Sequence, residues 1–265
     1  MIRLGPAGNV EKDTINSLLK IKSLGLNAQE IEFVRQVYMK NDLAKQVGKK
    51  AKELDISLSI HAPYFINLAS EEKEKVQASK KRILDSCERG HYLNATCVVF
   101  HPAYFGKRSK EETYGLVKNE ILDIMDTIKK NSWNIKIAPE TTGKHSAFGS
   151  LDETIRLARE TGCYLCIDPA HIYARNNGSI DFKEMLDKLK PLNLKPLHFH
   201  FSAIKYSIKG EVSHLTLAEG GPKFEPLASE LLKRKIDCTI ISESPITWQD
   251  SLNMKKMLDN LSSHK

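Results

Sequence analysis

Six strand-like segments of the sequence each end on a side chain that can bind a metal ion. Three to five mostly apolar or β-branched residues lead into one His, Asp or Glu, and a proline usually lies within two positions. Proline lacks the N–H that a sheet ladder needs and favours extended geometry before it, so these positions predict strand ends. Successive end residues lie 28 to 43 positions apart, about the length of a strand, a helix and two loops. The six residues are His61, His101, Glu140, Asp168, His200 and Glu243.

Between these segments, apolar residues recur at three- and four-residue spacing, which predicts helices. The helical stretches are 11–24, 42–54, 70–92, 110–130, 150–160, 182–189, 224–235 and 248–261, and Ser109, Asp181 and Thr247 are the expected caps. Two further strands, 2–5 and 30–33, give eight strands that are each followed by a helix. We therefore predict an α/β fold, a (β/α)8 TIM barrel whose active site lies at the C-terminal ends of the strands.

Length and composition favour a single domain. The chain has 265 residues, of which 41% are hydrophobic, and no linker or low-complexity block divides it. We expect one TIM-barrel domain over residues 1–265. The apolar runs are strand-sized and the N-terminus has no long apolar centre, so we expect a cytoplasmic monomer without a membrane segment.

Cysteine and charge add less specific expectations. Four of the five cysteines lie in or beside apolar runs, and Cys163 and Cys166 form a C-x-x-C without a second pair, so we expect buried, reduced thiols. The net charge of +7 favours a polyanionic partner such as nucleic acid.

The strand-end ligands predict a metal centre. Several ionisable groups converging on one barrel mouth need cations, because repulsion and desolvation oppose their burial. Histidine and carboxylate without thiolate suit zinc, manganese or iron. His171 and His214 add ligands from loops, so we expect two or three ions. His198 shares a strand face with His200 and is interpreted as a structural residue or as one that supports the metal ligands from behind, whereas His91, His145 and His264 are interpreted as surface or helix residues.

Over nearly its whole length the sequence resembles the endonuclease IV family of apurinic/apyrimidinic endonucleases. Five motifs carry the resemblance: His61-Ala-Pro-Tyr-Phe-Ile-Asn-Leu-Ala-Ser70, Phe100-His101-Pro102, Glu140-Thr-Thr-Gly143, Cys166-Ile-Asp168-Pro-Ala-His171 and Leu217-Ala-Glu-Gly220. The resemblance implies a DNA repair enzyme that hydrolyses the phosphodiester 5′ to an abasic site in damaged duplex DNA and leaves a 3′-hydroxyl.

The resemblance also implies roles for individual residues. Zinc would be the cofactor, two or three ions per chain, with manganese or iron in some positions. A first zinc is held by His61, His101 and Glu140, a second by Glu140, Asp168, His200 and Glu243, and a third by His171 and His214. Glu140 is the catalytic centre as the bridging carboxylate. The DNA-facing residues are Tyr64 and Asn67, with Arg35, Gln36 and Tyr38 on the loop after the second strand.

The sequence departs from the family after the seventh strand. Family members commonly show His-x-Asn-Asp there and an Asp two positions before the later His, whereas this chain has His200-Phe-Ser-Ala203 and Val212. Glu211, three positions before His214, is the nearest carboxylate and is expected to replace that Asp as a ligand. Archaeal-type members look similar at this place.

Two other functions stay open. In a sugar isomerase or epimerase of the xylose-isomerase-like barrels, Glu140, Asp168, His200 and Glu243 would bind one catalytic metal, and the remaining histidines would be idle. In a non-catalytic DNA-binding protein on a decayed barrel, the altered segment 202–212 would mark lost turnover.

Overall fold

Eight parallel strands form a closed barrel in the computed structural model, which describes residues 1–263. The strands are β1 (Ile2–Pro6), β2 (Ala28–Glu32), β3 (Ser57–His61), β4 (Cys97–Phe100), β5 (Lys136–Pro139), β6 (Cys166–Ile167), β7 (Leu197–Phe201) and β8 (Cys238–Ser242). They pair in the orders β1-β8-β7-β6 and β2-β3-β4-β5. Parallel bridges from Ala7 to Glu30 and from Glu140 to Cys166 join the two halves. The predicted TIM barrel is confirmed; His264 lies outside the described residues.

A helix follows every strand and covers the outside of the barrel. The helices are α1 (Thr14–Ser23), α2 (Asn41–Glu53), α3 (Lys73–Leu93), α4 (Lys110–Lys130), α5 (Leu151–Thr161), α6 (Pro169–Arg175), α7 (Phe182–Leu189), α8 (Phe224–Arg234) and α9 (Thr247–Ser263). Ser109 caps α4 in a capping box with Glu112, and the side chain of Asp181 caps α7, as the sequence predicts. Thr247 is the first residue of α9, whereas the sequence analysis places it in the capping position.

Side chains along β7 point alternately into the barrel and outward to the surrounding helices. Phe201 packs edge-on against Phe224 of α8, with ring centroids 5.0 Å apart. His198 and His200 lie on the other face, where both approach Glu30 inside the barrel. Because successive side chains of a strand point to opposite faces, the Leu-His-Phe-His-Phe pattern gives β7 one apolar and one polar face.

Two short pairs of antiparallel strands lie at the rim formed by the C-terminal ends of the barrel strands. Ala203–Ser207 pairs with Gly210–Leu215 to form a hairpin directly after β7, which we call the rim hairpin. Ala103–Tyr104 pairs with Ala147–Phe148 across the loops after β4 and β5. Neither pair is predicted from the sequence.

The cysteines lie inside the protein, away from its surface. All five cysteines are buried and free, which agrees with the expected reduced thiols. Within residues 1–263, no helix has both the length and the apolar character that crossing a membrane requires.

Candidate metal centre

Glu140 lies at the centre of the barrel mouth and contacts four histidines. It follows β5 directly and is fully buried. One carboxylate oxygen lies 3.5 Å from Nε2 of His61 and 3.2 Å from Nε2 of His101. The other lies 3.1 Å from Nδ1 of His171 and 3.3 Å from Nδ1 of His200. A single carboxylate therefore connects ligands from β3, β4, β7 and α6.

The predicted ligands form three linked groups. In each group, one candidate ligand atom of every member lies within 4.8 Å of those of the others. Glu140 belongs to the first two groups and Asp168 to the last two. The groups are His61, His101 and Glu140; Glu140, Asp168, His200 and Glu243; and Asp168, His171 and His214. The structure thus brings together the eight strand-end and loop ligands in one site with shared carboxylates.

Helix α6 explains how Asp168 and His171 reach this site together. Asp168 caps α6: its Oδ1 accepts hydrogen bonds from the backbone N–H groups of Ala170 at 2.6 Å and His171 at 3.1 Å. Pro169 occupies the first turn, where its missing N–H costs nothing. Oδ2 of Asp168 remains free to face the centre, 3.4 Å from Nδ1 of His171.

Glu211 joins the site through a β-bulge in the rim hairpin. Lys205 pairs with Ser213, but the next residue, Tyr206, pairs with Glu211, so Val212 is left without a partner in the register. The extra residue shifts the alternation of side chains. Glu211 and His214, three positions apart, therefore both face His171: Oε2 of Glu211 lies 3.6 Å and Nε2 of His214 lies 3.3 Å from Nε2 of His171. On a regular strand, residues two positions apart, as in Asp-x-His, share a face. The bulge adds one residue, so here the two side chains of Glu-x-x-His, three positions apart, share a face instead.

The buried polar atoms of this site fit divalent cations. Within residues 1–263, neither oxygen of Glu140, nor Oδ2 of Asp168, nor either ring nitrogen of His200 has a well-formed hydrogen bond. Leaving such groups unsatisfied costs free energy, and cations at the shared carboxylates would satisfy them. The donors are imidazole and carboxylate, the set preferred by zinc, manganese and iron. The site therefore supports a divalent metal centre.

Electrostatics in the metal-free protein agree with a cation-binding site. Burial opposes ionisation of Glu140, but the charges of His200 and His101 and hydrogen bonds from the histidines outweigh it and hold the pKa of Glu140 well below its usual range. Burial also opposes the charge on His61, yet its contact with Glu140 and the nearby charges of Glu32 and Glu30 raise the pKa of His61 to about 10. Protonated histidines thus neutralise the carboxylates when no metal is bound.

Two carboxylates of β2, Glu30 and Glu32, also lie at the site, and neither is among the ligands predicted from the sequence. Glu30 accepts a 2.6 Å hydrogen bond from the hydroxyl of Ser59 and lies 3.4 Å from Nε2 of His198. Glu30, Glu32 and Glu243 form a further acidic group. The available signal is Glu30-Ile-Glu32, a charged alternation inside a strand that should otherwise be apolar.

The predicted DNA-facing residues lie on the rim in different settings. Tyr64 is 56% exposed, and its ring centroid lies 5.4 Å from that of His61. Arg35, Gln36 and Tyr38 are at least partly exposed on the loop between β2 and α2. The side-chain oxygen of Asn67 instead accepts hydrogen bonds from the backbone N–H groups of Ala69 and Tyr104, so part of its role is to hold the rim loop.

Comparisons with known proteins place the chain in a family of TIM barrels. The model of the xylose isomerase-like TIM barrel family matches residues 18–263. An uncharacterised protein of Methanocaldococcus jannaschii is 37% identical over 258 residues, covering 94% of this chain and 93% of that protein. A probable endonuclease 4 of Mycoplasmopsis synoviae is 24% identical over 251 residues, covering 91% of this chain and 87% of its own.

Solved structures share the fold at lower identity. A D-tagatose 3-epimerase-like protein superimposes with a TM-score of 0.79 at 20% identity, covering 99% of this chain and 97% of that chain. Endonuclease IV from Thermus thermophilus superimposes with a TM-score of 0.77 at 19% identity, covering 100% of this chain and 99% of that chain. Nuclease and epimerase are thus about equally similar in fold, and the side chains of the mouth must distinguish them.

Proposed function

The chain belongs to the xylose isomerase-like TIM barrel family. From the side chains at the mouth of its barrel, we propose that it is a metal-dependent DNA repair endonuclease. It hydrolyses the phosphodiester 5′ to an abasic site and leaves a 3′-hydroxyl. The observation that carries the proposal is the number of ligands: eight candidate ligands form three groups, linked through Glu140 and Asp168, and eight ligands are more than one ion can use. Sequence relatives that bear the name probable endonuclease 4 support it.

Different side chains of the mouth would bind different ions. His61, His101 and Glu140 would hold the first, and Glu140, Asp168, His200 and Glu243 the second. His171 and His214, with Glu211 and Asp168 beside them, would hold the third. Ions bound there would activate a water nucleophile and polarise the phosphodiester, so no separate side-chain base is required. Zinc is the proposed metal.

Fixed ring orientations prepare this site before any ion binds. Nδ1 of His61 donates to the carbonyl oxygen of Ala62 at 2.8 Å, and this leaves Nε2 directed at Glu140. Nδ1 of His171 lies 2.8 Å from the carbonyl oxygen of Thr141. Hydrogen bonds of this kind fix the tautomer and the direction of a metal-ligating imidazole.

The rim of the mouth would bind damaged duplex DNA. An abasic nucleotide is the least costly to turn out of the helix, because it has no base to unstack. Tyr64 lies at the edge of the mouth beside His61, where it would contact the DNA next to the turned-out nucleotide. The positive net charge of the chain would favour the encounter.

A sugar epimerase with one metal is the second candidate. Glu140, Asp168, His200 and Glu243 alone form a complete four-ligand group, which is the observation that favours it. Under this function, the groups around His61 and His214 would have no ion to bind.

A substrate comparison tests the proposal. Zinc-loaded protein is incubated with a duplex that contains one abasic analogue, with the undamaged duplex and with a panel of ketohexoses. We expect turnover of the abasic duplex only. Epimerisation of a ketohexose without DNA incision would favour the second candidate.

A further inference from the structure

The rim hairpin carries an exposed apolar tip. Ile208 is 86% exposed, the largest value among the large hydrophobic residues of the described chain, and Tyr206 and Val212 of the same hairpin are 38% and 52% exposed. Tight turns favour Gly, Pro, Asn, Asp and Ser, whereas isoleucine is among the most buried residue types. The exposed parts of these three side chains bury no apolar surface in the folded chain, so their exposure favours a role in binding.

The hairpin is held firmly on both sides. The ring of Tyr206 packs edge-on against Tyr173 of α6, with centroids 5.6 Å apart. On the other side, the N–H of Glu211 donates to the carbonyl oxygen of Gly143 at 3.0 Å. A Cβ on Gly210 would overlap that same carbonyl group, so the two backbones are in close contact. Ile208 is thus presented from a fixed support.

Unpaired cations surround the tip. Lys205 and Lys209 are exposed on the hairpin, and Lys144 is exposed on the adjoining loop, which bridges to Gly210. Within residues 1–263, none of the three forms an ion pair, and Glu211, the hairpin's only carboxylate, faces His171 instead. An apolar tip among free cations is complementary to nucleic acid, whose grooves accept apolar side chains while its phosphates attract lysine.

The tip lies at the far end of the hairpin from the proposed reaction. His214 of the metal centre pairs with Ile204 at the base of the hairpin, whereas Gly210 pairs with Ser207 next to the turn that carries Ile208. Ile208 is therefore outside the metal centre and would contact DNA beside the reacting phosphate.

We propose that the rim hairpin binds the duplex beside the abasic site, with Ile208 in a groove and Lys205 and Lys209 on phosphates of the flanking DNA. This inference rests on the proposed function and adds to it a contact with undamaged flanking DNA. The hairpin would raise affinity for a lesion within long duplex DNA without taking part in hydrolysis.

The first test uses Ile208→Ser, with Leu19→Ser on the outer face of α1 as the matched control. We expect Ile208→Ser to raise KM about threefold to tenfold for an abasic duplex while kcat and the metal content stay unchanged. The control should match the wild type. An unchanged KM for Ile208→Ser would overturn the proposed role of Ile208.

The second test examines the phosphates. The double variant Lys205→Ala, Lys209→Ala is compared with Lys129→Ala, Lys130→Ala at the end of α4. We expect the first pair to lower the salt dependence of duplex binding by about one to two counterions. Neutral methylphosphonate linkages in the duplex that flanks the lesion, placed in one arm at a time, should weaken binding by the wild type but not by this variant. Equal sensitivity of both proteins in both arms would overturn the proposal.

Binding is measured by fluorescence anisotropy, independently of incision, so that the two proposals fail separately. Incision that is unaffected by all hairpin variants would overturn the hairpin's role and leave the endonuclease proposal standing. If binding depends on the hairpin but no incision occurs, the endonuclease proposal would be overturned and the hairpin's role in DNA binding would stand. If the wild type neither binds nor cuts abasic duplex, both are overturned.

Discussion

Oε1 of Glu30 lies 2.9 Å from Nε2 of His200, and both side chains are fully buried. With Nε2 directed at Glu30, the other ring nitrogen faces the mouth: Nδ1 lies 3.3 Å from Glu140 and 3.1 Å from Glu243. The negative charge of Glu30 favours a proton on the nearby Nε2, and this leaves Nδ1 as the nitrogen that faces the candidate metal ligands. Glu30 on β2 thus acts on a candidate metal ligand on β7, across the barrel.

Glu30→Gln should weaken metal binding at the second group of ligands. The amide keeps the shape but removes the negative charge that favours a proton on Nε2 of His200, so we expect affinity about 10- to 100-fold lower. Competition with a chromophoric zinc chelator measures it. Glu72→Gln at the exposed start of α3 is the control and should bind metal as the wild type does. Unchanged affinity in Glu30→Gln would show that this pair does not tune the site.

Stability of the metal-free protein should fall as the pH rises. Although burial opposes the charge on His61, its contact with Glu140 raises the pKa of His61 from 6.5 to about 10. The charged imidazole therefore stabilises the folded state fully below the unfolded value and loses that effect as pH passes through the folded value. We expect urea unfolding in the presence of a chelator to show declining stability from about pH 6.5 to 10.

Zinc should change this pH dependence. Metal ligands must be deprotonated, so bound ions replace the protons and their affinity rises with pH. The same urea titrations with zinc should show no decline over that range. A metal-free stability that is flat or rising over the range would contradict the electrostatic description of the mouth.

Glu211→Gln should remove one metal ion per chain, because Glu211 completes the group around His171 and His214. Val212→Ala should retain all ions, since Val212 is the exposed residue that the bulge leaves unpaired. Elemental analysis of dialysed protein measures both.

Adding Val212→Asp to Glu211→Gln tests the bulge directly. An Asp at this outward position should not restore the lost ion. Recovery of the full metal content would mean that Val212, not Glu211, faces His171 in solution.

Tyr64→Ala should weaken binding to abasic duplex about tenfold while the metal content is unchanged, because an exposed ring beside the mouth can stack on a base next to the lesion. Tyr64→Phe keeps the ring and should restore most of the affinity. Anisotropy titrations check both variants. Loss of metal in Tyr64→Ala would make the residue a structural part of the centre instead.

Local sequence patterns predict most of the fold and the candidate ligands. Each strand ends at its ligand because apolar residues and a nearby proline define that end locally, as at Asp168-Pro169. In a closed barrel these ends must meet at one rim, so convergence follows from the strand count. The ligand assignments of individual ions remain predictions.

Features that depend on long-range register are not predicted. The contact between Glu30 and His200 joins residues from opposite parts of the chain, and only closure of the barrel makes them neighbours. The bulge at Val212 depends on how two strands pair, which composition does not encode. Helix α6 was missed although its signal, Asp168 before Pro169, is present, because seven residues are too few for a periodic pattern.

Mapping the cut in a duplex with a single abasic analogue tests the central claim most directly. Protein with its metal content measured is mixed with DNA labelled at either end, and the products are sized and tested for extension by a polymerase. We expect one incision immediately 5′ to the abasic site, an extendable 3′-hydroxyl, and loss of incision in Glu140→Gln. Absence of incision by wild-type protein that holds its zinc would contradict the proposed function.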